Sequence, residues 1–215
     1  MFEILAITNR LLCPGGKENY LKQIEKIASS GINALILREK DLCAGEYTDL
    51  AKDVSALCAK KKLKFIIHGF IKTAAELGCP YIHVPWILFS ENYLNLNKAH
   101  ITPGTFCQPK ASGAAFGVSV HSQAEARFAE ANGASWLIAG HIYKTQCKPG
   151  LENRGLEFLT ELCQASAIPI YGIGGINENN IADAAKTGAA GICLMSSLMQ
   201  SLDPSTLVGK LRDKL

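Results

Sequence analysis

Short apolar runs alternate with longer amphipathic stretches along the whole of this chain, and that alternation constrains its fold more than any other feature. The runs are Glu3–Ile7, Ala34–Leu37, Lys64–Ile67, Tyr81–Val84, Ala114–Val118, Trp136–Ala139, Ile168–Ile173 and Gly191–Leu194, each of strand length. Between them lie helical patterns. In Tyr20–Ala28 the apolar residues Leu21, Ile24, Ile27 and Ala28 recur at helical spacing. Tyr47–Ala59, Ala124–Ala131, Leu156–Cys163 and Asn179–Lys186 read likewise, and Pro204–Leu215 closes the chain. Gly31, Gly78, Gly133 and Gly188 stand just past four such stretches, where helix C-terminal caps belong. Between Tyr81 and Lys110 the helix is indistinct, and IHVPWILFSENY reads as a strand running into an irregular loop.

Eight strand-plus-helix units in 215 residues predict a compact (β/α)8 TIM barrel with parallel strands, formed by residues 1–215 as one domain. A doubly wound open sheet is the runner-up. The hydrophobic fraction of 48% suits one substantial core. In a barrel, function gathers at the C-terminal ends of the strands. Strand alternation then sorts the candidates. In strand five, Phe116, Val118 and Val120 should meet the helices, whereas Gly117, Ser119 and His121 face the lumen, with His121 at the mouth. In strand two, Ile36, Arg38 and Lys40 share a face, so two cations should point at the same mouth.

Three segments there carry chemistry. GIGG at 172–175 follows a strand, and its glycines let backbone N–H groups approach a phosphate. Ser196 and Ser197 follow strand eight, and the loops after strands seven and eight form the phosphate site of many barrels. Gly174, Gly175, Ser196 and Ser197 are the resulting phosphate candidates; a tight turn without a ligand is the alternative. The dinucleotide fingerprint GxGxxG is absent, because Asn177 stands where its third glycine belongs. His121 can move protons near neutral pH or serve as a structural histidine. The loop GHIYKTQCKPGLENRG, 140–155, has a ligand-binding composition; Lys148 is its anion-binding candidate, and Arg154 reads either way.

Other classes are disfavoured. Net charge +3 is too mild for a nucleic-acid partner, and Lys60, Lys61, Lys62 and Lys64 read as a solvated helix end. No apolar run reaches the roughly 18 residues of a membrane span. The first strand opens at once with no signal peptide, and eight cysteines occur without a CxxC pair. A cytoplasmic protein with reduced thiols is expected, with Cys163 and Cys193 in the core. His68 and His141 end strands and His83 faces the lumen, while His100 reads as loop. No HxH or HExxH spacing and no neighbouring carboxylate supports a metal site, so neither metal nor cofactor is expected. No lysine stands at a buried lumen position suited to a Schiff base.

In order and spacing, AITNR (6–10), LREKDL (37–42), GVSVHS (117–122), GHIYKTQCKPG (140–150), YGIGGIN (171–177) and TGAAGICLMSSL (187–198) resemble the thiamine phosphate synthase/thiazole tautomerase superfamily of (β/α)8 barrels. The synthase branch couples a pyrimidine diphosphate to a thiazole phosphate with magnesium. Its pattern places Gln where Ile36 stands, Asn-Asp where His68 and Gly69 stand, and an acid in the segment that here reads Pro85-Trp86-Ile87-Leu88. Magnesium wants hard carboxylate oxygens, and those positions lack them. The departures resemble the thiazole tautomerase (TenI-type) branch, including Gly140, His141, Thr145, Cys147, Lys148, Gly150, Leu151, Arg154 and Gly155 of its loop. That resemblance implies an isomerase of thiamin biosynthesis acting on a small phosphorylated thiazole. His121 falls on the family's catalytic histidine. Arg38, Lys40, Thr145 and Lys148 are implied for the substrate carboxylate or developing charge. Thiamine phosphate synthase and a non-catalytic ligand-sensing protein on the same barrel are the alternatives. A homodimer is compatible with the base rate for such proteins.

Overall fold

The structure, a computed structural model, describes residues 1–91, 115–146 and 150–215. Eight parallel strands close into a ring in chain order, with the eighth pairing back onto the first. They are β1 (Glu3–Ile7), β2 (Ala34–Leu37), β3 (Lys64–His68), β4 (Tyr81–Val84), β5 (Ala115–Val120), β6 (Trp136–Gly140), β7 (Ile170–Ile173) and β8 (Gly191–Leu194). The described helices are α1 (Gly16–Ala28), α2 (Ala44–Lys60), α3 (Ile71–Glu76), α4 (86–91), α5 (Gln123–Ala131), α6 (Gly155–Ala165), α7 (Ile181–Lys186), α8 (Ser196–Met199) and α9 (Pro204–Arg212). The (β/α)8 expectation is met, and the open sheet is not. No described helix is long and apolar enough to cross a membrane.

Local chemistry sets the boundaries. The four glycines expected past helix ends all take positive φ, between 60° and 90°. Strand β7 starts at Ile170 rather than Ile168, because Pro169 has no N–H for the ladder; its carbonyl still accepts from Leu137 N–H at 2.9 Å. Helix α7 starts at Ile181 rather than Asn179, because Asn177 and Asn180 close a turn on each other: Asn180 Oδ1 accepts from Asn177 N–H at 2.8 Å. Residues 86–91 are helical where the sequence suggests an irregular loop; Pro85 opens that turn, and Phe89 N–H bonds its carbonyl.

Strand alternation divides the interior in two. Ile4, Leu35, Leu37, Ile67, Val118, Val120, Leu137 and Leu159 join a buried shell between strands and helices. Each such fully buried side chain contributes about 1.5–3 kcal/mol. Leu5, Ile7, Ala34, Ile36, Ile66, Trp136, Ile138, Tyr171 and Cys193 fill the lumen. Phe116, Val118 and Val120 therefore meet the helices as expected. Cys193 is fully buried, whereas Cys163 is half-buried against the shell.

One row of lumen residues is continuous across four strands. His68 pairs with His83, His83 with Gly117, and Gly117 with Trp136. The indole of Trp136 lies over Gly117 and stacks toward His83, with ring centroids 6.3 Å apart. A Cβ on residue 117 would collide with the indole Nε1. Gly117→Ala should therefore lower stability by about 1–3 kcal/mol through overpacking. The urea midpoint reads this loss, and it should shrink in a Trp136→Leu background; an unchanged midpoint would contradict the packing account.

Candidate active site

A cavity of about 570 Å3 opens at the C-terminal ends of the strands. Two others, of about 540 and 580 Å3, lie outside the barrel against α1 and collect no strand-end histidines or glycine loop. The first cavity brings together Arg38, Lys40, His121, Thr145, Gly174, Gly175, Ser196 and Ser197, all of them sequence candidates. Lys148 lies outside the described residues, as do His100, Cys107 and Cys147.

The cationic wall depends on a residue that the motif reading passed over. Arg38 and Lys40 face the cavity, so Glu39 between them points away, toward α1. It is 2% exposed, and three donors hold it. Its Oε1 accepts from Thr8 Oγ1 at 2.6 Å and from Tyr20 OH at 2.9 Å, and Oε2 accepts from Arg10 N–H at 2.8 Å. Thr8 Oγ1 in turn accepts from Arg38 N–H at 2.9 Å. Burial raises the Glu39 pKa, and these donors pull it back. The clamp joins the end of β1 to the end of β2 and fixes the backbone that carries both cations. Alternation could have identified it: a carboxylate between two mouth-facing cations must be buried on the helix side and must find donors there.

His121 directly follows β5. Its backbone N–H donates to Glu125 Oε2 at 2.6 Å, and its Nδ1 lies 3.3 Å from the same oxygen. Ser122 caps α5 by accepting from Glu125 N–H at 3.1 Å. The sequence signal is Ser-x-x-Glu at 122–125, a capping-box spacing in which the glutamate reaches back toward the helix start. Here it reaches one residue further and orients the histidine.

The loop after β6 lies against the glycine loop after β7. Ile142 N–H donates to Ile173 O at 2.8 Å, and Tyr143 N–H to Gly174 O at 2.9 Å. Gly174 and Gly175 take φ of 101° and 68°. A Cβ on Gly174 would collide with His141, and one on Gly175 would meet Lys144 O at 2.5 Å. Close packing of two loops thus requires glycine at both positions, in addition to any need of a ligand. Arg154 works inside this assembly. Its Nε donates to Gly140 O at 3.1 Å, and its guanidinium lies 5.5 Å over the Phe158 ring. It holds the loop and is not part of the cavity lining.

The remaining walls are neutral. Trp86 lines the cavity and packs edge-on against Phe128, with centroids 5.9 Å apart. His68 and His83 form the floor with Ser119; the two imidazole centroids are 5.6 Å apart. Burial, then the charges of Arg38 and Lys40, push the His68 pKa down to about 3. Burial, then His68, holds His83 well below the usual imidazole range. Both rings are neutral at physiological pH. Among the described residues no three His, Cys, Asp or Glu side chains are grouped to hold a metal ion. The nearby carboxylates are committed elsewhere, Glu39 to its clamp and Glu125 to His121. This donor set does not fit a magnesium ion, which wants several hard oxygens.

His68 stays neutral in the fold to about pH 3 but titrates near 6.5 when unfolded. The unfolded chain therefore binds the extra proton between those values, and stability falls as pH drops through that window. Replacing it, as in His68→Gln, should flatten the slope of unfolding free energy between pH 6.5 and 5 by up to ~1.4 kcal/mol per pH unit. Urea titrations at several pH values measure this, and an unchanged slope would mean that His68 is already protonated in the fold.

Comparison with known proteins agrees with this architecture. The sequence pattern of the family described as "Thiamine monophosphate synthase" matches residues 4–198. A putative thiamine-phosphate synthase 2 of Aquifex aeolicus is 32% identical over 183 residues, covering 85% of this chain and 91% of its own length. The thiamine-phosphate synthase of Listeria welshimeri is 33% identical over 195 residues, covering 87% and 88%. Among solved structures, thiamine phosphate pyrophosphorylase from Pyrococcus furiosus superposes with TM-score 0.79 at 24% identity over 99% of this chain and 95% of that one, a likeness of fold. With a match along most of its length and relatives at this identity, the chain belongs to the thiamine monophosphate synthase family.

Proposed function

We propose that this member of a thiamin-biosynthesis family is a thiazole tautomerase. It would convert a thiazole carboxylate phosphate with an exocyclic double bond into its aromatic isomer. The observation that carries this reading is the histidine on a carboxylate handle: His121, held by Glu125, at the edge of the cavity. With Nδ1 turned to Glu125, Nε2 serves the substrate. It takes the proton from the ring carbon, the electron pair moves through the ring, and a proton is returned to the exocyclic carbon. Atoms and charge balance with no second reactant. Glu125 stabilises the imidazolium formed between the two transfers. Gly174, Gly175, Ser196 and Ser197 would hold the phosphate and so fix the ring beside the histidine. Arg38, Lys40 and Thr145 would meet the carboxylate or the charge that builds up, with Lys148 assigned the same role from sequence.

A second reading has specific support: the relatives are named thiamine-phosphate synthases. That transfer would use the same phosphate cup and cations. The strand ends weigh against it, since Gly69 and the segment Pro85-Trp86-Ile87-Leu88 stand where the family resemblance leads one to expect magnesium-binding acids.

His121→Asn is expected to lower tautomerase turnover by roughly 10²–10⁴-fold while leaving affinity for the thiazole carboxylate phosphate within a few-fold. An NMR time course and calorimetry measure the two quantities. Wild-type-like turnover in the variant would remove His121 from the mechanism. No acceleration by the wild type, with magnesium-dependent thiamine phosphate formation from the two precursors, would establish the transferase instead. Ligand binding with neither reaction would point to a ligand-sensing protein.

A further inference from the structure

Below His121, the lumen face of β5 carries Ser119, two residues earlier and therefore about 6.6 Å down the strand. Ser119 is half-buried and forms part of the cavity floor. Its Oγ lies 2.8 Å from Nε2 of His83, which is 1% exposed. The other ring nitrogen, Nδ1, is buried and has no hydrogen-bond partner among the described residues. Trp136, whose ring stacks on His83, buries its Nε1–H in the same unpartnered way.

These facts select one tautomer. A neutral imidazole carries a single N–H. Placed on Nδ1, that proton would be a buried donor without an acceptor, in a region that already holds one such donor. Placed on Nε2, it donates to Ser119 Oγ. The serine oxygen then accepts, and its own proton must turn elsewhere; Ser119 lines the cavity, so the hydroxyl can present that proton there. We infer that His83 is a positioning residue that holds the Ser119 hydroxyl as a fixed donor aimed at the bound ligand. The group it meets is a hydrogen-bond acceptor, either a ring nitrogen or an oxygen.

Resting on the tautomerase reading, the pair gains a mechanistic role. A five-membered ring beside His121 spans the distance to Ser119. As His121 removes a proton, negative charge builds in the ring, and a donor preset on the opposite side stabilises it without reorganising. The hydroxyl forms its strongest hydrogen bond when that charge is greatest. Its loss should therefore fall on kcat rather than KM.

The test has two arms. Nitrogen-15 NMR of histidine-labelled protein should show His83 protonated at Nε2 and bare at Nδ1, with the Nε2 signal moved in Ser119→Ala. A proton on Nδ1 overturns the inference whatever the activity. In kinetics, Ser119→Ala should lower kcat by about 10²-fold with little change in KM. His83→Phe should lower kcat by a smaller factor, and the double variant should match Ser119→Ala alone. His83→Gln, whose amide can donate to the serine, should recover part of the loss. Losses that multiply in the double variant would make His83 merely structural and overturn the inference. If the wild type proves inactive as a tautomerase, the proposed function fails, while the NMR arm still decides the inference: His83 protonated at Nε2, with a signal that moves in Ser119→Ala, upholds it, and a proton on Nδ1 overturns it.

Discussion

Closing eight short parallel strands into a ring leaves each side chain only two destinations, and the rest of the molecule follows from that restriction. Odd and even positions along a strand part into lumen and shell. Ile36 enters the lumen while its neighbours Leu35 and Leu37 enter the shell. The same rule carried past the strand ends brings Arg38, Lys40, Ser119 and His121 to one opening. The cavity is the continuation of the lumen beyond the point where apolar side chains stop filling it.

Placing polar groups there requires holders. Two carboxylates serve, in different ways. Glu39 is inside the wall and clamps backbone, so the cations beside it project from a fixed frame. Glu125 is at the rim and touches the histidine itself. Below them the imidazoles of His68 and His83 are kept neutral by burial, and for His68 that preference is reinforced by the positive wall above. The cavity thus grades from a cationic rim suited to an anionic ligand to a neutral, hydrogen-bonding floor suited to a flat ring.

Much of this was legible in the sequence because it depends on period and register. The eight runs, the face of strand five and the two cations of strand two needed only alternation. The loops were harder. Arg154 read as a solvated or ligand-binding cation, yet it accounts for the Gly140 carbonyl and packs on Phe158, contacts set by how the chain folds back rather than by spacing. Glu39 and Glu125 were both within reach, the first by alternation and the second by capping spacing, but each needed the question of where a charged group finds partners. Residues 86–91 are helical, yet their sequence, WILFSE, carries no apolar spacing that separates helix from loop. Gly174 and Gly175 suggested a ligand; their neighbours show that loop packing demands them as well.

The layer of His68, His83 and Trp136, with Tyr171 bonded to Glu3 at 2.6 Å nearer the other end, seals the barrel from beneath. Among the described residues, the cavity opens at the rim and the lumen beneath it is filled by side chains. Whatever enters at the rim leaves by the same route, last in and first out. For a molecule that rearranges in place this imposes no order of events. For two reactants it would impose a stacking order: the lower one must be seated before the upper one arrives, and it cannot depart until the upper one has gone.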